Sequence, residues 1–293
     1  MREFTAVVNP AAGGASAAAA MLPVAHLLRA AGAVVEVEYS RGLEHARTVA
    51  RAAGEQGRVV LGAGGDGMAG CVGGALAGTG AVFGIVPAGR GNDFARALGL
   101  PTAASELAEL LLNGEPRPVD AIEVESAVHD RVAVLGSVYA GVDAAANQNA
   151  NRTRLLRGAA SYYVGALRAM ATWRPVAYKI TVDGVEYERR GYTVVAANSG
   201  YYGFGRLIAP GAEVDDGLLD VVIVGDLPRP AFFAVMNELK AGSQVRRPQV
   251  EVLRGREVRI EAAAPVPYGA DGEVDGALPV TARVLPGALN VIR

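Results

Sequence analysis

Glycine-rich turns that also carry charged side chains mark the places where this chain can do chemistry. The densest is Gly62-Ala63-Gly64-Gly65-Asp66-Gly67, which follows the apolar run at 58–62 and precedes a helix-like stretch. Glycines there let main-chain N–H groups approach a phosphate, and the helix N-terminus that follows favours an anion. A tight strand-to-helix turn is the competing reading of the glycines alone. Asp66 weighs against it, because a carboxylate in a phosphate-cradling loop repels its ligand unless it orients a metal or takes a proton. Gly62, Gly64 and Gly67 also fit the G-x-G-x-x-G pattern. A dinucleotide site places that turn after the first strand, with an acid about 20 residues on. Here the turn follows the third strand, and Pro87-Ala88-Gly89 stands where the acid belongs. A Walker A loop is excluded, since the only lysines are Lys179 and Lys240.

Two further loops have the same setting. Pro87-Ala88-Gly89-Arg90-Gly91-Asn92-Asp93-Phe94-Ala95-Arg96 follows a strand and enters a helix, and Asn9-Pro10 with Gly13-Gly14 follows the first strand. Asn92 as a helix N-cap and Asp93 in a first turn supply the purely structural reading of the former. Three such loops at the carboxyl ends of strands in one sheet would converge on one crevice.

The elements that must position these loops are legible from periodicity. Strand patterns at 4–8, 33–39, 58–62 and 81–87 alternate with helical ones at 16–31, 43–55, 68–77, 93–98 and 103–112. This predicts βαβ units and a parallel sheet covered on both faces. After Asn113-Gly114-Glu115-Pro116 strand-like runs dominate, at 119–124, 128–138, 176–182, 185–190, 192–197, 218–224, 258–263 and 280–285. Asp183-Gly184 is a type I′ hairpin signal. Helical inserts are expected near 153–172 and 230–241. The fold class is therefore α/β plus all-β: residues 1–119 form an α/β domain and 120–293 an antiparallel β domain, whose last strand is a candidate to rejoin the first.

Composition bounds the rest. The chain has 293 residues, is 51% hydrophobic and 20% charged, and carries a net charge of −2, so it folds a real core and is no polycation. One cysteine, Cys71, gives no internal disulfide, and three histidines far apart show no zinc spacing. A reducing, cytoplasmic setting is expected. The uncharged run 9–28 is too rich in Ala and Gly, with Pro and His inside it, to read as a membrane span.

Taken in order, VVNPAAGG (7–14), GGDGM (64–68), PAGRGNDFAR (87–96), APGAEVDDGLLD (209–220) and DGE (271–273) resemble the diacylglycerol kinase catalytic-domain family. That family includes bacterial soluble lipid kinases and sphingosine and ceramide kinases, and is related to NAD kinases. The resemblance implies a nucleotide-binding α/β domain, a β-sandwich domain and an active site in the cleft between them, with ATP and Mg²⁺ as cofactors. It places the ATP phosphates at Asn9, Pro10, Gly13, Gly14, Gly64, Gly65, Asp66, Gly67, Met68, Gly89, Arg90, Asn92 and Asp93, with Ser40 near the nucleotide. It makes Glu273 the proton acceptor, with Asp66 and Asp271 as further catalytic acids. Phosphoryl transfer needs positioning, charge neutralisation and a base, and the sequence leaves the last two roles unpartitioned among these acids. The resemblance also implies a structural Mg²⁺ site at Glu213, Asp216 and Leu218, with Asp216 as carboxylate, joined to the cleft through Asp215, Asp120 and Arg96. An ordinary β-turn is the other reading of Asp215-Asp216-Gly217. Two departures stand out: Met68 and Arg90 replace family threonines, and Arg90 brings a fixed cation that either pairs with phosphate or faces solvent.

The acceptor is written less plainly. Between Asp143 and Asp183 there is no acid, while Arg152, Arg154, Arg157, Arg168, Arg174 and Lys179 are present with Tyr162, Tyr163 and Trp173. Such a surface docks on anionic lipid headgroups, or is a solvated helix face. Nucleic acid is disfavoured, because no recognition motif accompanies the charges. The segment Asn198–Arg206 reads equally as an acceptor-pocket wall and as a hairpin loop. The expected function is an ATP- and Mg²⁺-dependent kinase of a diacylglycerol-like lipid hydroxyl, cytoplasmic with transient membrane contact, and compatible with a homodimer. A kinase of a soluble acceptor and an inactive nucleotide- or lipid-binding regulator are the alternatives.

Overall fold

The computed structural model describes residues 2–10, 16–153, 172–272 and 274–293. In the first half β1 (Glu3–Val8), α1 (Ser16–Ala30), β2 (Val34–Tyr39), α2 (Leu43–Glu55), β3 (Val59–Gly64), α3 (Asp66–Leu76) and β4 (Val82–Pro87) alternate, followed by α4 (Asp93–Ala97) and α5 (Ala104–Asn113). β1 pairs in parallel with β2 and β3, and β3 with β4. Strand residues are apolar on both faces, as a sheet covered twice requires. Phe4, Ala6 and Val8 pack with Met21 and Leu28 of α1 and Leu111 of α5. Val7 and Val60 pack with Ala46 and Ala50 of α2 and Val72 of α3.

The second half runs β5 (Pro116–Ser126), β6 (Val132–Val134), β7 (Ser137–Gly141), α6 (Val142–Thr153), β8 (Val176–Val182), β9 (Val185–Ala197), β10 (Tyr201–Tyr202), β11 (Arg206–Leu207) and β12 (Leu219–Gly225). It ends with α7 (Arg229–Glu238), β13 (Val250–Gly255), β14 (Glu257–Ala262), β15 (Pro267–Ala270), β16 (Val274–Ala277) and β17 (Val280–Ile292). Pairing is antiparallel from β7 through β9, β8 and β14 to β17. Period-two burial builds two apolar layers from one strand. On β9, Val194 and Ala196 join Tyr178 and Ile223, while Val195 and Ala197 join Phe232 and Leu239 beneath α7.

β17 links the halves. It runs antiparallel to β5, shifts register between Leu285 and Leu289, and then pairs in parallel with β4 through Asn290 and Val82. Gly287 at that shift has φ 58°, a left-handed conformation suited to glycine.

Three expectations change. The run 128–138 breaks into β6 and β7 at Gly136, whose carbonyl takes the N–H groups of Asn198 and Ser199. The runs 185–190 and 192–197 form one strand, with Gly191 at a register shift against Gly225. The helix expected at 153–172 starts earlier, as α6, and most of that range lies outside the described residues. Strands β10, β11, β13, β15 and β16 were not expected, being short or polar.

α3 reaches the second half through Gly74, whose missing Cβ would collide with the Ala133 carbonyl of β6. Gly74→Ala should destabilise the protein by about 1–3 kcal/mol despite its helical site, measured as a lower urea midpoint with an unchanged m-value.

Candidate active site

The carboxyl ends of the parallel strands gather the glycine loops. The Asn9 amide donates to the Ala63 carbonyl at 3.4 Å, the Ala88 amide to the Gly64 carbonyl at 2.8 Å, and the Ser40 amide to the Val8 carbonyl at 2.8 Å. The loops after β3 and β4 touch backbone to backbone: a Cβ on Gly89 would stand 2.4 Å from the Gly65 Cα. Only glycine permits that approach. Asn92 sits at φ 49°, and its side chain folds back on Gly89, accepting from the Gly89 amide at 2.8 Å and donating to its carbonyl at 3.1 Å. It therefore shapes the loop and makes no side-chain cap to α4.

Asp66 opens α3. Its Oδ1 accepts the amides of Asp93 at 2.5 Å and Phe94 at 3.4 Å, while Oδ2 faces Gly91, where a Cβ would lie 2.8 Å away. Burial raises its pKa, opposed by those amide bonds. Asp271 reaches the same place from the turn after β15, packing over Gly70, one helical turn beyond Asp66. Its carboxylate accepts three amides, from Leu135 at 2.6 Å, Gly136 at 2.9 Å and Ser137 at 3.1 Å. Burial pushes its pKa up to about 6 against these bonds, and the charge of Asp66 adds to the rise. Asp93 is buried; burial and then the Asp66 charge raise its pKa.

Beside these acids opens a cavity of about 460 Å³, lined from the first half by Asp66, Gly70, Asp93 and Phe94, and from the second by Leu135, Tyr139, Asn147, Tyr201, Tyr202 and Phe204 among others. Asp143, at the start of α6, lies in its wall with Arg206. Burial raises the Asp143 pKa, partly offset by a hydrogen bond from Thr193, the Arg206 charge and the Tyr202 hydroxyl, which stands at 3.5 Å. Burial and Asp143 together hold the Tyr202 hydroxyl well above its usual range.

Comparison with known proteins decides the family. Residues 3–124 match the diacylglycerol kinase catalytic domain, and residues 136–293 match the YegS C-terminal NAD kinase beta sandwich-like domain. The chain belongs to the diacylglycerol kinase family. It is 31% identical over 296 residues to a diacylglycerol kinase of Mycobacterium tuberculosis (strain ATCC 25618 / H37Rv), covering 99% of this chain and 95% of that one. It is 27% identical to a probable lipid kinase YegS-like of Stenotrophomonas maltophilia (strain K279a), covering 84% of this chain and 82% of that one. Its fold matches the crystal structure of a putative diacylglycerol kinase from Bacillus anthracis str. Sterne, with TM-score 0.78 at 23% identity over 99% of this chain and 97% of that chain. Membership in the diacylglycerol kinase family gives phosphotransferase chemistry and nucleotide use. Among the described residues no helix is long and apolar enough to cross a membrane.

The family's expected residues fall into groups. Asn9, Ser40, Gly64, Gly65, Asp66, Gly67, Gly89, Arg90 and Asn92 line the strand ends or their loops. Pro10 and Arg90 are exposed, and Met68 is buried in the core, so only its main chain faces the loop. Gly13, Gly14 and Glu273 lie outside the described residues, as do the side chains of Arg152, Arg154, Arg157 and Arg168; Arg174 is exposed ahead of β8.

The turn at Glu213, Asp216 and Leu218 sits apart, and its carboxylate is already engaged. Asp216 accepts the Leu218 amide at 3.0 Å and pairs with Arg254, which also holds Asp220 at 3.3 Å. Asp215 pairs with Arg293, and Asp120 takes the amides of Gly217 and Gly287, each at 2.7 Å. The cation that answers the Asp216 carboxylate in this turn is the Arg254 guanidinium. Among the described residues no group of three His, Cys, Asp or Glu side chains gathers around one point. At Asp66 the amides of Asp93 and Phe94 fall on Oδ1. One carboxylate oxygen there suits Mg²⁺, which takes one or two carboxylates together with substrate phosphates.

Sequence reasoning missed Asp143 and Arg254, while Tyr202 lies in the segment read both as an acceptor-pocket wall and as a hairpin loop. Asp143 had a signal: like Asp66, it stands in the first turn of a helix that follows a glycine at a strand end.

Asp271 titrates at about 6 in the folded chain against 3.8 ordinarily. A raised carboxyl contributes stability below its unfolded pKa and loses it as pH rises through the folded one. Thermal melts should show this contribution declining between about pH 4 and 6, and Asp271→Asn, which cannot ionise, should lack that decline.

Proposed function

We propose that this chain is an ATP- and Mg²⁺-dependent lipid kinase that phosphorylates a hydroxyl of diacylglycerol or a similar lipid. The observation that carries the reading is the cavity beside Asp66, whose wall includes Phe94, Leu135, Tyr201, Tyr202 and Phe204 and which Asp66 enters from the end of one glycine loop. Residues 1–119 serve as the nucleotide lobe and 120–293 as the lobe that completes the acceptor side. The names of both relatives and the family model support the lipid acceptor. A soluble acceptor is the second reading, favoured by Asp143 and Arg206 in the cavity wall.

In this reading the loops at Asn9, Gly64–Gly67 and Gly89–Asn92 bind the nucleotide phosphates through main-chain amides. Asp66 Oδ2 is the carboxylate oxygen offered to Mg²⁺, which when bound neutralises charge on the transferred phosphoryl group. Desolvation makes Asp66 more basic than an exposed carboxylate. Asp271 has its oxygens bound by amides, so it serves as fixed negative charge that orders the turn preceding Glu273. Glu273 is the proposed proton acceptor, on the family resemblance. The apolar walls exclude water that would compete with the lipid hydroxyl.

Transfer of ³²P from ATP to diacylglycerol in anionic vesicles should require Mg²⁺ and stop with EDTA. Asp66→Asn should lower kcat by about 100-fold or more while retaining nucleotide binding by equilibrium titration. Absence of labelled lipid with ATP still bound would move the reading to a soluble acceptor.

A further inference from the structure

The sequence placed Asp93 with the nucleotide residues, but its carboxylate is bonded to the other half of the protein. Oδ2 accepts the Phe204 amide at 3.1 Å and Oδ1 the Gly205 amide at 2.5 Å. These amides form the tip of the β10–β11 hairpin. Gly203, Phe204 and Gly205 have φ of 55°, 71° and 80°, three left-handed residues in succession. For a bulky residue such as phenylalanine that conformation is strained, and it persists only where the surroundings fix it. The buried Asp93 carboxylate supplies the fixing bonds. Three residues on, the Arg96 guanidinium lies 5.7 Å over the Tyr201 ring at the base of the same hairpin. The hairpin is also the cavity wall, contributing Tyr201, Tyr202, Gly203, Phe204 and Arg206. In the other direction, the Asp93 amide donates to Asp66. One residue thus connects the candidate catalytic acid to the wall of the acceptor cavity.

We infer that Asp93 is a positioning residue for the acceptor: it holds the hairpin at the distance from Asp66 that a bound hydroxyl needs. The inference rests on the kinase reading for its substrate, while its structural half stands on the hairpin bonds. Asp93→Asn keeps the shape but turns an NH₂ group toward an amide donor, so the tip loses a bond. The variant should raise the acceptor KM about 10-fold and leave the nucleotide Kd within about twofold. Gly205→Ala strains the tip from the hairpin side at φ 80° and should raise the same KM. The double variant should then show less than the product of the two effects. Amide exchange gives a readout independent of turnover: Phe204 and Gly205 should exchange faster in Asp93→Asn, and diacylglycerol binding from mixed micelles should weaken in parallel. An Asp93→Asn protein with weakened nucleotide binding and an unchanged acceptor KM overturns the inference. So does unchanged exchange at 204 and 205. A wild-type chain that binds diacylglycerol but never phosphorylates it defeats the kinase reading alone, and the exchange and binding comparisons still decide the role of Asp93.

Discussion

Main-chain amides delivered to aspartate carboxylates hold the distant parts of this protein in register. Asp66 takes amides from α4, Asp93 from the hairpin tip, Asp271 from the β6–β7 junction, and Asp120 from the turn before β12 and the bend in β17. Each bond joins segments well apart in sequence, and each is a charge-assisted hydrogen bond, stronger than one between neutral groups. Burial raises the cost of the charge, and the amides offset it. For Asp66, Asp93 and Asp271 burial outweighs the amides, and all three carboxyls are raised above the ordinary aspartate value.

This arrangement explains how one cavity comes to be built from two halves of the chain. The parallel strands bring the glycine loops together but supply little of the apolar wall. The second half supplies most of the wall and two of its four acids, Asp143 and Asp271. Asp271 crosses from the second half to lie over α3, and Asp93 crosses from the first half to the hairpin. The acidic turn near Asp216 follows a different rule, with carboxylates answered by Arg254 and Arg293 from neighbouring strands. There the protein provides its own cations.

The first half of the fold was legible because its strands are apolar runs separated by Gly and Pro turns, and its helices carry Ala and Leu at helical spacing. The candidate acids Asp66 and Asp271 were legible too, since they stand in motifs. What escaped was set by tertiary contact. Asp93 reads as a helix first-turn acid, and nothing local shows that its partner amides belong to Phe204 and Gly205. Asn92 reads as a cap, yet a left-handed backbone turns its side chain to Gly89. Gly136 interrupts a run of strand formers where a Cβ would stand 2.9 Å from the Asp271 carboxylate that its amide binds. Arg254 gives no signal at all, as its role follows from lying opposite Asp220 across two paired strands.

β17 carries a consequence for how the chain can be divided. Val82 and Phe83 of β4 find partners in Asn290 and Val291, so one edge of the parallel sheet is closed by residues made long after it. During synthesis that edge presents unpaired amides and carbonyls, the kind of surface that templates misassembly. The same geometry makes the two halves poor candidates for separate expression: a fragment ending near residue 120 keeps its glycine loops and loses the strand that seals β4. The parallel sheet is thus completed only by a pairing far apart in sequence, between β4 and β17.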